Sequence, residues 1–484
     1  MATDSEKIRR FIRFADSYKD MMGNVEFTEE ALCTLVDTAK KMTNVELSDD
    51  EEEIIFKELE YKYQIRVTPG ECLLADYNQA TWYTDKKSEI NPRFWNRYKD
   101  YLIDEKYFNP NVISTLGDDT LDLSLMNCLG NPDSEKPFLK RGLIIGDVQS
   151  GKTSTYIGLM CKAADAGYKV FILLTGTIES LRQQTQERVE EGFIGIDMSA
   201  DKAGENRVGV GKDNKPIMAM SMTSRLSDFT GKSDKIAVSL QNNDAIVFVI
   251  KKQKDVLQKL TKWLVTLNAD QVTHKIDAPM LLIDDEADNA SVNTGKTRED
   301  PTTINKLIRK LVAVFSKSNY IGFTATPFAN VFIDPETTEE MEEHDLFPED
   351  FIVSLPTPSD YIGPNKIFPK DSPYHSQLIY IKDCGNDVEE GFPFYFKHKK
   401  EWDDILPGSL TDAVYSFYIA NAVRDLRGDI MTHRSMLINM SRFIAVQQKI
   451  KQMVESIHKE AYSAVKFHIK SDDAVAMKNP VIKR

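Results

Sequence analysis

Residues 146–153 bring together the groups that hold a triphosphate: Gly146, Asp147, Val148, Gln149, Ser150, Gly151, Lys152 and Thr153. Two glycines let successive backbone N–H groups close round phosphate oxygens, Lys152 reaches the β/γ-phosphates, and the Thr153 hydroxyl is a ligand for Mg²⁺. A second set lies further along, at Asp284, Asp285, Glu286, Ala287 and Asp288. Phosphoryl transfer needs one carboxylate to hold the metal and another to position and deprotonate the attacking water. Asp285 is assigned to the metal and Glu286 to the water. Glu286, Lys152 and Asp285 are thus the expected catalytic residues, Thr153 and Asp285 the Mg²⁺ ligands, and ATP with Mg²⁺ the expected cofactors.

These residues must be presented by strands. The apolar run Leu143, Ile144, Ile145 precedes the glycine loop and a helix-forming segment through Met160 follows it, giving strand, loop, helix. From about residue 138 to 334, short apolar runs alternate with helical patterns, at 142–145, 170–174, 217–220, 245–250, 280–283 and 320–323. That alternation predicts an α/β fold with a mostly parallel sheet. Ligands on such sheets bind beyond the carboxyl ends of the strands. There the sequence places Thr175, Gly176 and Thr177 after one strand, the acidic run after another, and Thr324, Ala325, Thr326 and Pro327 after a third.

Around this core, residues 1–135 read as a helical accessory domain, 136–335 as the ATPase lobe, 336–408 as a proline- and aromatic-rich insertion with a short strand at 376–381, and 409–484 as the start of a second α/β lobe. That last segment is expected to form a helix over 411–426, a strand over 435–440 and a helix over 443–457. Phe94, Trp95, Tyr98 and Tyr101 share one helix at a spacing that favours core packing over base stacking.

The 484 residues carry 75 acidic against 61 basic side chains, a net charge of -14, which argues against a protein that coats nucleic acid through its overall field but leaves room for a local basic cleft. No apolar run approaches a membrane span and the N-terminus lacks a signal peptide's apolar core, so a cytoplasmic location without membrane partners is expected. Cys33, Cys72, Cys128, Cys161 and Cys384 are scattered, which points to reduced thiols rather than a metal site.

The order of the glycine loop, the Asp285-Glu286-Ala287-Asp288 run and Thr324-Ala325-Thr326 resembles the first three motifs of superfamily-two helicases and translocases, including the motor subunits of restriction enzymes. A RecA-like lobe is the fold that this resemblance implies. Together with Leu346-Phe347-Pro348-Glu349-Asp350-Phe351-Ile352 and Met436-Leu437-Ile438-Asn439-Met440-Ser441-Arg442-Phe443, the same residues resemble the Z-one domain family over residues 95–448. Members of that family are described as endonucleases and occur among bacterial restriction and phage-defence genes. The resemblance implies that Thr324 and Thr326 couple nucleotide state to a nucleic-acid track, that Thr175, Gly176, Thr177 and Arg225 touch it, and that partners include nucleic acid, DNA first, and defence subunits such as a nuclease or methyltransferase.

Two departures stand out. Asp284 occupies a place where helicases put an apolar strand residue, and the second lobe offers only Arg442 as a cation for the γ-phosphate. ATP binding with slow hydrolysis is therefore expected unless a further segment or a partner supplies that cation. A nucleotide-driven switch that recruits effectors is the alternative function. An endonuclease ranks last, because Asp285 and Glu286 are already used by ATP and the other acidic runs read as solvated loops.

Overall fold

The structure of the chain is a computed structural model. It describes residues 11, 14–15, 17–18, 29–43, 55, 59, 72–75, 81–108, 110–147, 151–199, 206–212, 219–231, 245–289, 291, 303–331, 345–355, 362–372, 374–381, 383, 406–428, 433–441 and 443–484. The chain divides into two compact units, residues 1–363 and 364–484.

The first unit is built on a sheet of eight strands: β1 (Cys72–Leu74), β2 (Phe138–Ile145), β3 (Val170–Thr175), β4 (Ala219–Ser221), β5 (Ala245–Lys251), β6 (Met280–Asp285), β7 (Lys317–Thr324) and β8 (Phe351–Ser354). Their order across the sheet is β1-β8-β2-β7-β6-β3-β5-β4, and every pairing is parallel except that of β1 with β8. Helices α1 (Glu29–Thr43), α2 (Arg93–Asp104), α3 (Lys152–Asp165), α4 (Glu179–Val189), α5 (Lys254–Asn268) and α6 (Thr303–Ala313) accompany it, with a π-helical stretch, Thr115–Leu125, between α2 and β2. This is the doubly covered, mostly parallel α/β arrangement of a RecA-like lobe.

Consecutive apolar residues in the central strands follow from burial on both faces. Phe171, Leu173, Val247, Val249, Leu281, Ile283, Ile321 and Phe323 point into one core with α2, α3 and the π-helical stretch. Their sequence neighbours Val170, Ile172, Leu174, Ile246, Phe248, Met280 and Leu282 point into another with α5 and α6. The period of two in a strand divides each run between the layers.

The aromatic helix α2 is core, as its spacing indicates: Phe94, Trp95, Tyr98 and Tyr101 are all buried. Asp165, from the last turn of α3, accepts the backbone N–H groups of Phe94 and Trp95 at 2.8 and 2.9 Å and so satisfies donors that α2 cannot satisfy itself. Burial pushes the Asp165 carboxyl up to about 6. Lys162 of α3 pairs with Asp122 of the π-helical stretch, and its ammonium lies 4.5 Å over the Trp95 ring. The helix that begins at the glycine loop is thereby clamped to the preceding residues. Further upstream, Leu32, Leu35, Val36 and Ala39 of α1 form a small core with Phe11, Ala15, Ile55 and Leu59.

The sheet draws strands from both sides of the expected 136–335 lobe. β1 lies in the segment read as helical, and β8 lies in the proline-rich stretch after residue 335. The three exposed residues of β1 and the four partly buried residues of β8 are runs too short to show a period in sequence. Strand 217–220 is seen as β4 from Ala219; residues 217 and 218 lie outside the described residues.

In the second unit, α7 (Gly408–Leu426) and α8 (Ile444–His468) take the places expected for two helices. The two expected strands do not form ladders. Residues 375–377 make a 3₁₀ turn and 378–381 pair with nothing among the described residues. Residues 435–440 are unpaired too, although they alternate in exposure, with Ile438 and Met440 packed against Leu410, Val446 and Ile450. Apolar alternation shapes such a segment, but a strand also needs a neighbour for its backbone. Among the described residues, no helix is long and apolar enough to cross a membrane.

β2 and β8 approach closely because Gly142 sits beside Phe351. A Cβ on Gly142 would stand 2.0 Å from the Phe351 ring. Gly142→Ala is expected to lower the stability of the first unit by about 2 kcal/mol, the range of an overpacked core, measured by urea denaturation. An unchanged midpoint would show that Phe351 moves aside freely.

Candidate functional site

Parallel register carries the chemistry to one rim of the sheet. Ile145 at the end of β2 pairs with Thr324 at the end of β7, and Asp285 at the end of β6 pairs with Phe323. The Gly146 N–H continues the β2–β7 ladder to Thr324 O at 3.0 Å. At the other end of the glycine loop, Gly151 takes φ +89° as the residue before α3, a left-handed conformation suited to glycine. Val148, Gln149 and Ser150 lie outside the described residues.

Lys152 opens α3, and its Nζ donates to the carbonyls of Gly146 at 2.9 Å and Asp147 at 2.7 Å. Burial lowers its pKa, opposed by Asp285, Asp147, Asp288 and Glu286. The Thr153 hydroxyl is the partner of Arg188 of α4, whose Nη1 lies 3.0 Å from Oγ1. Across from them, burial raises the Asp285 carboxyl, and the neighbouring Glu286 and Asp284 raise it further while Lys252 and Lys152 pull it down. A cation with phosphate oxygens is the natural partner for a carboxylate in that setting.

β6 ends in a tight turn. Glu286 has φ +55° and is exposed, Ala287 is buried, and the Ala287 N–H donates to Phe323 O at 3.0 Å. Gly322 of β7 makes room for Ala287, since a Cβ there would stand 2.8 Å from the alanine methyl. Asp288 then accepts two hydroxyls, Thr324 Oγ1 at 2.8 Å and Thr326 Oγ1 at 2.7 Å. The acidic turn and the Thr-Ala-Thr segment are one hydrogen-bonded unit.

A cavity of about 810 Å³ opens over this rim, lined by Gly151, Lys152, Thr153, Asp285, Glu286 and Thr326 among others. The residues expected to bind, hold metal and activate water therefore share one space. Glu286 also meets the turn after β3: a Cβ on Gly176 would stand 3.2 Å from its Oε2. Thr177 is exposed beside it.

Two residues named for track contact are engaged elsewhere. Thr175 is buried, its hydroxyl turned into the sheet toward Ile250 O at 3.2 Å. Arg225 faces Glu187 at 2.9 Å, Glu190 at 3.8 Å and also Asp197. Three residues carry more of the site than their sequence context suggests: Asp288, Arg188 and Lys252. Asp288 is legible only as the last acid of its run. Arg188 and Lys252 belong to no motif and reach the site through the packing of α4 and the end of β5.

Comparison with known proteins gives two family matches. Residues 131–329, less than half of the chain, match the family described as "Type III restriction enzyme, res subunit", which is helicase-like, and residues 409–480 match the Z1 domain. The chain thus carries both of the likenesses read from its motifs, with the Z1 match on residues 409–480 rather than over the expected 95–448. Among solved structures it is similar to the helicase domain of Pyrococcus furiosus Hef, with 14% identity and a TM-score of 0.25, covering 68% of this chain. This chain spans 56% of that structure, and nothing further rests on the likeness. No curated protein matches.

Asp288→Ala removes the shared acceptor of Thr324 and Thr326. The first unit is expected to lose about 2 kcal/mol of stability, the scale of two hydroxyl bonds to a partly exposed carboxylate, in chemical denaturation. A loss below about 0.5 kcal/mol would mean that water replaces Asp288 without penalty.

Proposed function

We propose that this chain is a Mg²⁺-dependent, helicase-like ATPase whose turnover is tied to nucleic acid, DNA first, within a bacterial restriction or anti-phage assembly in the cytoplasm. The observation that supports this reading is the single cavity in which Lys152, Thr153, Asp285 and Glu286 meet, joined through Asp288 to Thr324 and Thr326. The match of residues 131–329 to a restriction-enzyme family supports the class.

The residues fit the cofactors. Gly151 leaves open space where a side chain would stand, and Lys152 holds its ammonium on loop carbonyls that phosphate oxygens can replace. Mg²⁺ keeps several waters and phosphate oxygens and needs only one or two protein ligands, here Thr153 Oγ1 and an Asp285 oxygen. When bound, it offsets the charge that gathers on the transferring phosphoryl group. Lys152 would then bind the β/γ-phosphates, and Arg188 would leave Thr153 for a phosphate oxygen. The Glu286 carboxylate orients the attacking water and takes its proton. Asp288 ties the turn that carries Glu286 to the segment after β7, so a shift at one is felt at the other. On this reading Thr177, exposed beside Gly176, is placed to meet a track, whereas Arg225 orders the loop around Asp197. Nuclease or methyltransferase subunits are the partners that would use the motion.

Lys152→Ala is expected to weaken ATP binding at least about tenfold, read with a fluorescent ATP analogue. Glu286→Gln should keep that affinity while kcat falls by about 10² to 10⁴. ATP turnover by the chain, with and without single- and double-stranded DNA, decides the function. DNA-stimulated turnover supports the motor. ATP binding that DNA does not accelerate would favour a switch that recruits effectors, and DNA cleavage that survives Lys152→Ala would favour a nuclease.

A further inference from the structure

The turn that carries Glu286 is braced from inside the fold by an ion pair that nucleotide chemistry does not by itself require. Lys252 follows β5 directly, and its side chain and that of Asp284 are both fully enclosed, with Nζ 2.6 Å from Asp284 Oδ1. The same ammonium donates to the backbone carbonyls of Glu286 at 2.7 Å and Asn289 at 3.1 Å. Asp284 accepts the Tyr320 hydroxyl on its other oxygen at 2.7 Å. An ammonium has three protons, and here the ion pair and two carbonyls give it three partners.

Two features show what the arrangement does. Glu286 sits at φ +55°, a left-handed conformation that a long side chain adopts only where its surroundings impose it. Its carbonyl is the acceptor of both Lys252 and the Asn289 N–H, the latter at 2.9 Å, so the peptide that turns the chain is fixed from two sides. The second feature is the cost of the pair. A buried ion pair is often replaced by apolar residues without loss of stability, so stability alone is a weak reason for it. Its contacts with the 286 and 289 carbonyls are specific to the position of the turn.

We propose that Lys252, charge-balanced by Asp284, is a positioning residue that locks the turn 285–289 and so aims the Glu286 carboxylate into the nucleotide cavity. This rests on the ATPase reading above, and it accounts for an aspartate on a buried strand position. Without the lock the 286 peptide relaxes, and the Glu286 carboxylate leaves its place beside Gly176. The phosphate-binding residues Gly151, Lys152 and Thr153 lie at the start of α3 and keep their places.

Lys252→Met alone leaves Asp284 charged and enclosed, so the informative protein is the full chain with Lys252→Met and Asp284→Asn together, in which the asparagine still accepts Tyr320. Its melting temperature should stay within a few degrees of the wild type, and its affinity for a fluorescent ATP analogue within about threefold, while kcat falls about 100-fold, the penalty of a misplaced catalytic group. Hydrogen–deuterium exchange at the amides of residues 287 and 289 should quicken at least about tenfold. Exchange at the wild-type rate, or turnover within about threefold of wild type, overturns the lock. A double variant that neither folds nor binds nucleotide overturns it too, because the pair then carries the fold rather than the turn. If Glu286→Gln leaves turnover untouched, the role given to Glu286 in the ATPase reading fails instead, and the amide exchange still decides whether Lys252 holds the turn.

Discussion

The parallel register of β2, β7 and β6 is the constraint on which the site depends. Three adjacent strands end level with one another, so a glycine loop at 146–153, an acidic turn at 284–288 and a Thr-Ala-Thr segment at 324–326 emerge along one rim. A slip of one residue would turn Asp285 to the other face of the sheet, because side chains alternate strictly along a strand. The register is itself fixed by the two cores, which take alternate residues from each strand and cannot exchange them. Packing on both faces and the position of the carboxylates are thus one property.

Much of the sheet and the site was legible because the chemistry of the motifs and the periodicity of the strands agree. Apolar runs bounded by Gly146, Thr175, Asp285 and Thr324 mark strands and also mark what stands at their ends. β1 and β8 escaped, since strands of only three and four residues leave no pattern in sequence. The run 435–440 shows the converse: its alternation of exposure is real, yet the described residues provide no strand beside it. Sequence reports which face of a segment is apolar; the ladder depends on a neighbour that only the fold can supply.

Within the site, the residues legible in sequence are those assigned to the nucleotide, metal and water, and the others act on protein groups. Asp288 is used twice by threonine hydroxyls, Arg188 rests on Thr153, and Lys252 holds two carbonyls. Such roles need long-range proximity, which residue type and spacing do not encode. Asp284 is the exception. A charged residue in an otherwise apolar strand is visible in sequence as an inconsistency, and the structure resolves it as the counter-ion of Lys252. Lys162 and Asp122 form a second ion pair whose two side chains are buried.

The central claim is that the loop before α3 and the turn after β6 form one Mg²⁺-nucleotide site. Isothermal titration of a non-hydrolysable ATP analogue, with and without Mg²⁺, into wild-type protein and Asp285→Asn tests it most directly. The account predicts that Mg²⁺ tightens binding to the wild type by at least about tenfold and that the variant loses most of this enhancement. Binding that is indifferent to both Mg²⁺ and Asp285 would contradict it.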